Sequence, residues 1–187
     1  MADKTESGWQ VLNDRVVDDF KIFRTRKSLR RNLRNGHEID FFLMDGLNWA
    51  NVIALTPANE VVLIRQYRHG VDREVIEIPG GCIEKGEDPA AGAARELEEE
   101  TGYRAESLVT LGEVAPNPAL MSLTCFFYVA RDVVPDGKMG FDPGENIEVL
   151  LRPLDQVFEM VAGGEMQHAL HVAAFGLLAL QREKFAK

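Results

Sequence analysis

A chain of 187 residues with a net charge of −9, 45% hydrophobic and 27% charged, has the size and balance of one globular domain with a real core. Its acidity disfavours nucleic acid and phosphorylated ligands at long range unless cations are placed locally, and no apolar run nears the roughly 20 residues of a membrane-spanning helix. The opening MADKTESGWQ lacks the apolar core of a secretory signal, and Cys82 and Cys125 form neither a disulfide framework nor a metal-ligand spacing, so a cytoplasmic protein with reduced thiols is expected.

In chain order, residues 1–8 are small and polar and predict an unpacked tail. From Trp9 to about Leu33 the apolar positions Val11, Phe20, Ile22 and Phe23 predict two strands. Asn35-Gly36 is a tight-turn signal ahead of a strand over 38–44, which predicts a hairpin. The runs 51–56 and 60–67 flank Pro57-Ala58-Asn59 and predict another. Residues 74–78 alternate and are expected to stop at Pro79-Gly80-Gly81. The strongest helix signal runs from Ala90 to Thr101, with Asp88 as N-cap, Pro89 in the first turn and Gly102 in the left-handed position after the last turn. Strands over 107–114 and 123–130 precede a loop rich in Asp, Pro and Gly over 132–144. A last strand over 147–151 leads to helices near 154–161 and 167–181, the latter carrying Leu170, Ala174, Leu177 and Leu178 on one stripe. Strands mostly precede helices, as in a mixed α/β sandwich.

The densest chemistry lies between Gly81 and Tyr103. Gly81-Cys82-Ile83-Glu84-Lys85-Gly86-Glu87 is followed, seven residues on, by Arg95-Glu96-Leu97-Glu98-Glu99-Glu100-Thr101-Gly102-Tyr103. Glu96, Glu99 and Glu100 are three and four apart and share one helix face, while Ala93, Ala94 and Leu97 belong to the neighbouring apolar faces. Like charges at this spacing weaken a bare helix by roughly a few tenths of a kcal/mol per pair. Such carboxylates either stay in water or take up a cation, and hard oxygens in this number suit Mg²⁺ or Mn²⁺. Arg95 can pair with Glu99 one turn on, or with Glu87 from the preceding loop.

Gly81, Glu87, Arg95, Glu96, Glu99, Glu100 and Gly102 match every fixed position of the Nudix box, G-x5-E-x7-R-E-U-x-E-E-x-G-U, with Tyr103 where an aliphatic residue is usual. The chain therefore resembles the Nudix hydrolases. That resemblance implies a Nudix-type α/β/α sandwich with a mixed sheet. It also implies attack of water on a phosphorus of a nucleoside diphosphate joined to a second group, with Mg²⁺ or Mn²⁺ as cofactor. By the same resemblance Glu96, Glu99 and Glu100 are metal ligands, the Gly80 carbonyl is another, and Glu99 and Arg95 join the catalytic set. Glu87 supports the loop–helix junction.

Outside the box the resemblance narrows to ADP-ribose and nucleoside diphosphate sugar pyrophosphatases. Gly144-Glu145-Asn146-Ile147-Glu148-Val149 resembles their G-E-x-[IV]-E-V element and implies Glu145 as a metal-linked base, with Asp142 as the fallback; the alternative leaves Glu145 and Glu148 as strand-edge charges. Arg65-Gln66-Tyr67-Arg68 resembles R/K-Q-[YF]-R and implies Arg68 on the substrate phosphates with Gln66 beside it, against a strand-end arginine in water. Glu77-Ile78-Pro79-Gly80 resembles the lead-in E-[LFI]-P-[AG], with Glu77 near the metal or ribose. Trp9 resembles an N-terminal tryptophan that stacks on adenine, against packing in a dimer interface, whereas Trp49 reads as core. Asn117, Met121 and Ser122 flank Pro118, which fits a proline marker of the ADP-ribose group, in a loop expected to line the pocket.

The basic run Arg24, Arg26, Lys27, Arg30, Arg31 and Arg34 has no interleaved aromatics and reads as a solvated hairpin face, not a nucleic-acid surface. His37, His69, His168 and His171 show no ligand arrangement, and the 168/171 pair reads as packing or surface.

The chain is thus expected to divide into an N-terminal β-hairpin extension over 1–45, which dimerises, and a Nudix hydrolase domain over 46–187 with its box at 81–103. The expected activity is metal-dependent hydrolysis of ADP-ribose or a related small-molecule nucleoside diphosphate sugar to a nucleoside monophosphate and a sugar phosphate, by a cytoplasmic homodimer with no membrane or nucleic-acid partner. Two alternatives are a Nudix hydrolase of dinucleoside polyphosphates or RNA 5′ ends, and a non-catalytic nucleotide sensor. The N-terminal extension and the Gly-Glu-x-Ile-Glu-Val element argue against the first, the intact box carboxylates against the second.

Overall fold

The computed structural model describes residues 8–140 and 146–185. The tail over 1–7 and both candidate bases, Glu145 and Asp142, lie outside the described residues. The rest falls into two units, one from the described part of 1–47 with 115–123, the other from that of 48–114 and 124–187.

In the smaller unit β1 (Trp9–Asp19), β2 (Phe23–Asn32) and β3 (Glu38–Gly46) form an antiparallel sheet with β2 in the middle. The basic run lies on β2, and its neighbours answer it with carboxylates. Arg26 pairs with Asp14 at 2.5 Å and Asp45 at 2.9 Å, Lys27 with Asp40 at 2.8 Å and Arg31 with Glu38 at 2.6 Å. The Arg26 guanidinium, helped by the Ser122 hydroxyl, holds the Asp45 carboxyl below its ordinary range. Cross-strand pairing of opposite charges stabilises a sheet locally. The 115–123 segment is tied to β3: the Met44 N–H donates to the Leu120 carbonyl at 2.8 Å, and the Ser122 N–H to that of Met44 at 3.0 Å.

The larger unit holds a mixed sheet in the order β10 (Ile147–Pro153), β5 (Glu60–Arg68), β4 (Trp49–Leu55), β9 (Cys125–Ala130), β8 (Leu108–Val114), with β6 (Arg73–Glu77) on β5 and β7 (Gly80–Cys82) on β4. Strands apolar at nearly every position need cover on both faces. On β4, Ala50, Val52 and Ala54 pack with Ala93 and Leu97 of helix α1 (Pro89–Thr101). Ile53 and Leu55 pack on the opposite face with Val157 and Met160 of α2 (Leu154–Gly163) and with Leu170, Ala174, Phe175 and Leu178 of α3 (Ala169–Leu180). The two-residue repeat of the strand thus sorts one run into two cores, and the α/β/α sandwich follows. No helix among the described residues is long and apolar enough to cross a membrane.

Helix α1 takes the predicted form. The Asp88 carboxylate accepts from the Ala90 and Ala91 N–H groups at 3.0 and 3.1 Å, and Gly102, at φ 70°, donates its N–H to the Glu98 carbonyl at 2.8 Å. Helix α3 begins two residues later than expected, because His168 caps it: its Nδ1 accepts from the Leu170 N–H at 3.3 Å.

β6 ends at Glu77, before Pro79-Gly80-Gly81, as expected, but a further short strand, β7, starts at Gly80. β4 and β5 pair only at Ala54–Val62 and Leu55–Val61, then diverge, and β7 takes the vacated side of β4 with Asn51 opposite Gly80. The Val52 N–H donates to the Pro79 carbonyl at 3.0 Å, which makes Asn51–Gly80 a non-hydrogen-bonded pair, the closer of the two antiparallel spacings. Only glycine tolerates that approach. A Cβ at position 80 would lie 2.7 Å from the Asn51 side-chain oxygen.

Leu97 is fully buried between α1 and the sheet. Leu97→Ala should lower the unfolding free energy by about 2–5 kcal/mol in a urea titration. A change under about 1 kcal/mol would show that α1 is not anchored through this core.

Candidate active site

A cavity of about 820 Å³ opens in the larger unit, within the size range that encloses a nucleotide-sized ligand. Glu96, Glu99 and Glu100 of α1 line one side with Gly80, Gly81 and Cys82 of β7. Arg68, Glu77 and Gln66 come from β5 and β6, Asn51 and Trp49 from β4, and His168 and His171 from the start of α3.

Arg95 organises the acidic side. Its Nε and Nη2 donate to Glu87 at 3.0 and 3.1 Å, Nη1 donates to Glu96 at 2.9 Å and Glu99 at 3.0 Å, and Nη2 also reaches the Cys82 carbonyl at 3.1 Å. Both pairings expected from its sequence spacing form at once, with a third added. The guanidinium's proton affinity rises accordingly, chiefly through Glu87, and the Glu87 carboxyl is held below its ordinary range by Arg95 and then by the Glu84 N–H. Glu87 also lies against Gly92, where a Cβ would meet its carboxylate at 2.9 Å, so it ties the loop to the helix.

Two further carboxylates press on β7 itself. The Gly80 N–H donates to Glu100 Oε2 at 2.8 Å, and Glu100 is only 5% exposed. The Glu96 carboxylate lies where a Cβ of Gly81 would stand, at 2.6 Å. Two successive glycines thus make a shallow cradle of backbone under two acidic groups. Gly80 sits in a non-hydrogen-bonded register, so neither its N–H nor its C=O is used by β4; the N–H goes to Glu100.

Among the described residues, no three His, Cys, Asp or Glu side chains stand close enough to enclose a cation by themselves. The reason is visible. Arg95 holds Glu96 and Glu99, and the Gly80 amide holds Glu100. The donor set nonetheless fits a hard divalent cation, because Mg²⁺ is ordinarily held by one or two carboxylates with substrate phosphates and waters, not by a closed protein cage.

Opposite, Glu77 is 1% exposed, and a buried carboxylate requires a partner. Arg68 supplies it through Nε to Oε1 at 3.0 Å and Nη2 to Oε2 at 2.6 Å, and the Gln66 amide donates at 3.3 Å. This two-point contact fixes the plane of the guanidinium at the cavity wall. Glu148 pairs with Arg65 at 2.7 Å across β5 and β10.

The larger unit thus brings together Gln66, Arg68, Glu77, Gly80, Arg95, Glu96, Glu99 and Glu100. Trp9 and Met121 belong to the smaller unit: Trp9 meets Phe41 edge-on at 5.3 Å, and Met121 bridges Met44. Trp49, read as core, packs against the core with one side and lines the cavity with another.

Sequence reasoning missed Asn51 and His171. His171 is 3% exposed, and its Nε2 lies 3.1 Å from Asn51 Oδ1; the Asn51 Nδ2 donates to Cys125 Sγ at 3.0 Å. Burial pushes that thiol up to about 12, so it stays protonated. His168 stacks on His171 with centroids 4.2 Å apart, and His171 Nδ1 is buried without a hydrogen-bond partner among the described residues. Such an unmet acceptor costs about 1–3 kcal/mol. One signal was available: Asn51 is a lone polar residue inside the apolar run 50–55.

Comparison with known proteins agrees with this geometry. The profile of the NUDIX domain matches residues 46–174. The ADP-ribose pyrophosphatase of Bacillus subtilis (strain 168) is 32% identical over 186 residues, covering 97% of this chain and 95% of that protein. The methanol dehydrogenase activator of Bacillus methanolicus is 31% identical over 184 residues, covering 96% and 94%. A crystal structure of an ADP compounds hydrolase superposes with a TM-score of 0.82 over 94% of this chain and 95% of that one; at 22% identity the likeness shows the fold.

Burial holds His171 well below its ordinary value, so the ring is neutral in the folded chain. Unfolded, it titrates near 6.5. As pH falls below about 6.5 the unfolded state takes up a proton that the folded state refuses, so stability is lost on acidification and unaffected by this group above that point. Burial lowers His168 as well, in the same direction. The fall in Tm between about pH 7 and pH 5.5 should therefore be smaller for His171→Gln than for the unaltered chain. Equal falls would show that His171 is not the group refusing the proton.

Proposed function

This chain belongs to the NUDIX family, and from that premise we propose that it hydrolyses the diphosphate linkage of ADP-ribose or a related ADP-sugar, releasing AMP and a sugar phosphate. The observation that carries the reading is the meeting, in one cavity, of the three box carboxylates with Gly80 and the Arg68–Glu77 pair. The ADP-ribose pyrophosphatase from Bacillus subtilis supports the substrate class by its similarity over nearly the full length of both chains.

Glu96, Glu99, Glu100 and the Gly80 carbonyl, with Glu145, would hold Mg²⁺ or Mn²⁺. A cation there would neutralise the diphosphate oxygens and acidify the attacking water. The chain's own residues supply the rest. Arg95 keeps Glu96 and Glu99 aimed at the cavity despite their mutual repulsion. Arg68, its plane fixed by Glu77, presents a guanidinium to the phosphates, while Gln66 and Glu77 shape the wall behind it. Glu145 is the base that takes the proton from water, and Glu99 and Arg95 complete the catalytic set. Trp9 stacks on the adenine and Met121 lines the same substrate region.

A homodimer formed through the N-terminal sheet is part of this reading. Large apolar side chains of the smaller unit face outward, including Ile22 at 72% exposure and Phe42 at 65%. Exposed apolar surface on this scale marks an interaction face. A cytoplasmic setting suits the two free cysteines, Cys82 exposed and Cys125 buried.

With Mg²⁺ present, ADP-ribose and ADP-glucose should be cleaved in preference to GDP-mannose, diadenosine tetraphosphate and 5′-triphosphate RNA when the nucleotide products are separated and quantified by chromatography; absence of AMP from both ADP-sugars would end the reading. Glu100→Gln should lower kcat on the order of 10²-fold or more. Retention of more than about a tenth of the activity would remove Glu100 from the site. Arg68→Lys preserves a charge for buried Glu77 but loses the planar fork, so KM should rise roughly tenfold with kcat little changed. An unaltered KM would take Arg68 off the substrate.

A further inference from the structure

The mechanism above leaves one buried polar assembly unused. It runs from Cys125 on β9 through Asn51 on β4 to His171 on α3, all on the face that α2 and α3 cover. Polar groups interrupt an apolar core only when they are mutually satisfied, and here each end of the Asn51 amide has a designated partner. The amide nitrogen donates to Cys125 Sγ, so the oxygen faces His171. An amide oxygen only accepts, so His171 Nε2 must carry its hydrogen, and the neutral ring then leaves Nδ1 as a bare acceptor. This accounts for the unpartnered Nδ1. The chain tolerates an orphan acceptor in order to keep a donor on Asn51.

What that donor restrains is the position of the Asn51 oxygen, and the oxygen lies beside Gly80. Asn51 and Gly80 are opposed in the close, non-hydrogen-bonded register, and the Asn51 oxygen is 2.7 Å from the place where a Gly80 side chain would begin. The carboxamide, together with the Ala50 carbonyl oxygen, which lies closer still to the same point, therefore fills the room of the missing side chain and bears on Gly80 from below. From above, the Gly80 N–H donates to Glu100. A continuous series of contacts joins the first turn of α3 to a box carboxylate of α1 across the sheet: His171, Asn51, Gly80, Glu100.

We infer that His171 and Asn51 are positioning residues for the cation site, forming a buried strut that sets the Gly80 backbone, and with it Glu100, in place for a divalent ion. The inference rests on the proposed function, because that reading makes the Gly80 carbonyl and Glu100 ligands. A role in packing alone would require shape at position 171; the strut requires a donor at the position of Nε2. Glutamine carries an amide nitrogen at nearly that reach, phenylalanine keeps the ring's bulk without a donor, and asparagine is too short.

Binding of Mn²⁺ alone to the full chain, followed by the electron paramagnetic resonance signal of the free ion, separates these roles without relying on turnover. His171→Phe should weaken Mn²⁺ binding about tenfold to a hundredfold, as loss of an outer partner of a metal site does, while His171→Gln stays within about threefold of the unaltered chain. At saturating Mg²⁺ the KM for ADP-ribose should be the same in both. His171→Asn serves as the donor-short variant if His171→Phe does not fold, and should bind Mn²⁺ as weakly. Normal Mn²⁺ binding by His171→Phe or His171→Asn overturns the strut alone, as does equal weakening in His171→Gln. Absence of Mn²⁺ uptake by the unaltered chain overturns the strut together with the proposed function.

Discussion

The arrangement depends on one guanidinium. Three carboxylates on one face of a helix, Glu96, Glu99 and Glu100, repel one another, and Glu87 is brought up to them by the preceding loop. Arg95 reaches three of these four from a single planar group, and does so at 2.9–3.1 Å throughout. A lysine has one point charge and could not serve three directions together. With Arg95 in place, the helix carries its acidic face into a cavity, and the loop is fastened to the helix by the same bonds.

The remainder of the charge distribution follows a similar logic. A chain at −9 must place its cations with care, and Arg26, Lys27 and Arg31 of β2 pair with acidic residues of β1 and β3. Arg68 is handled differently. It is anchored to a carboxylate that is itself almost wholly buried, so its orientation is set by an interior group while it stands at a cavity wall.

Much of this was legible from residue order where the determining interactions are local. Asp88, Pro89 and Gly102 bound α1 through contacts within four residues, and the shared face of Glu96, Glu99 and Glu100 follows from helical spacing alone. The strand β7 was not legible, because Pro79-Gly80-Gly81 ends β6 locally, while the new strand that starts there is made by pairing with β4 some thirty residues earlier. Asn51 and His171 are 120 residues apart, and no short-range pattern joins them. His168 and His171 read as either packing or surface, since the burial of the second depends on how α3 lies against the sheet. The grouping of 115–123 with the first three strands is likewise a product of long-range pairing, through Met44.

The parting of β4 from β5 carries a further implication. β4 is bound along its whole length by β9 on one edge, while the other edge is divided between β5 and the short β7. The floor of the cavity is therefore a fork in a sheet, with rungs of backbone hydrogen bonds, and not a loop resting on a scaffold. Its amides exchange with solvent only when the ladder opens, so rigidity there belongs to the same cooperative unit as the core. Adaptation to ligands of different shape must then come from side chains and surrounding loops, and the catalytic floor is shielded from selection for flexibility that acts on the rim.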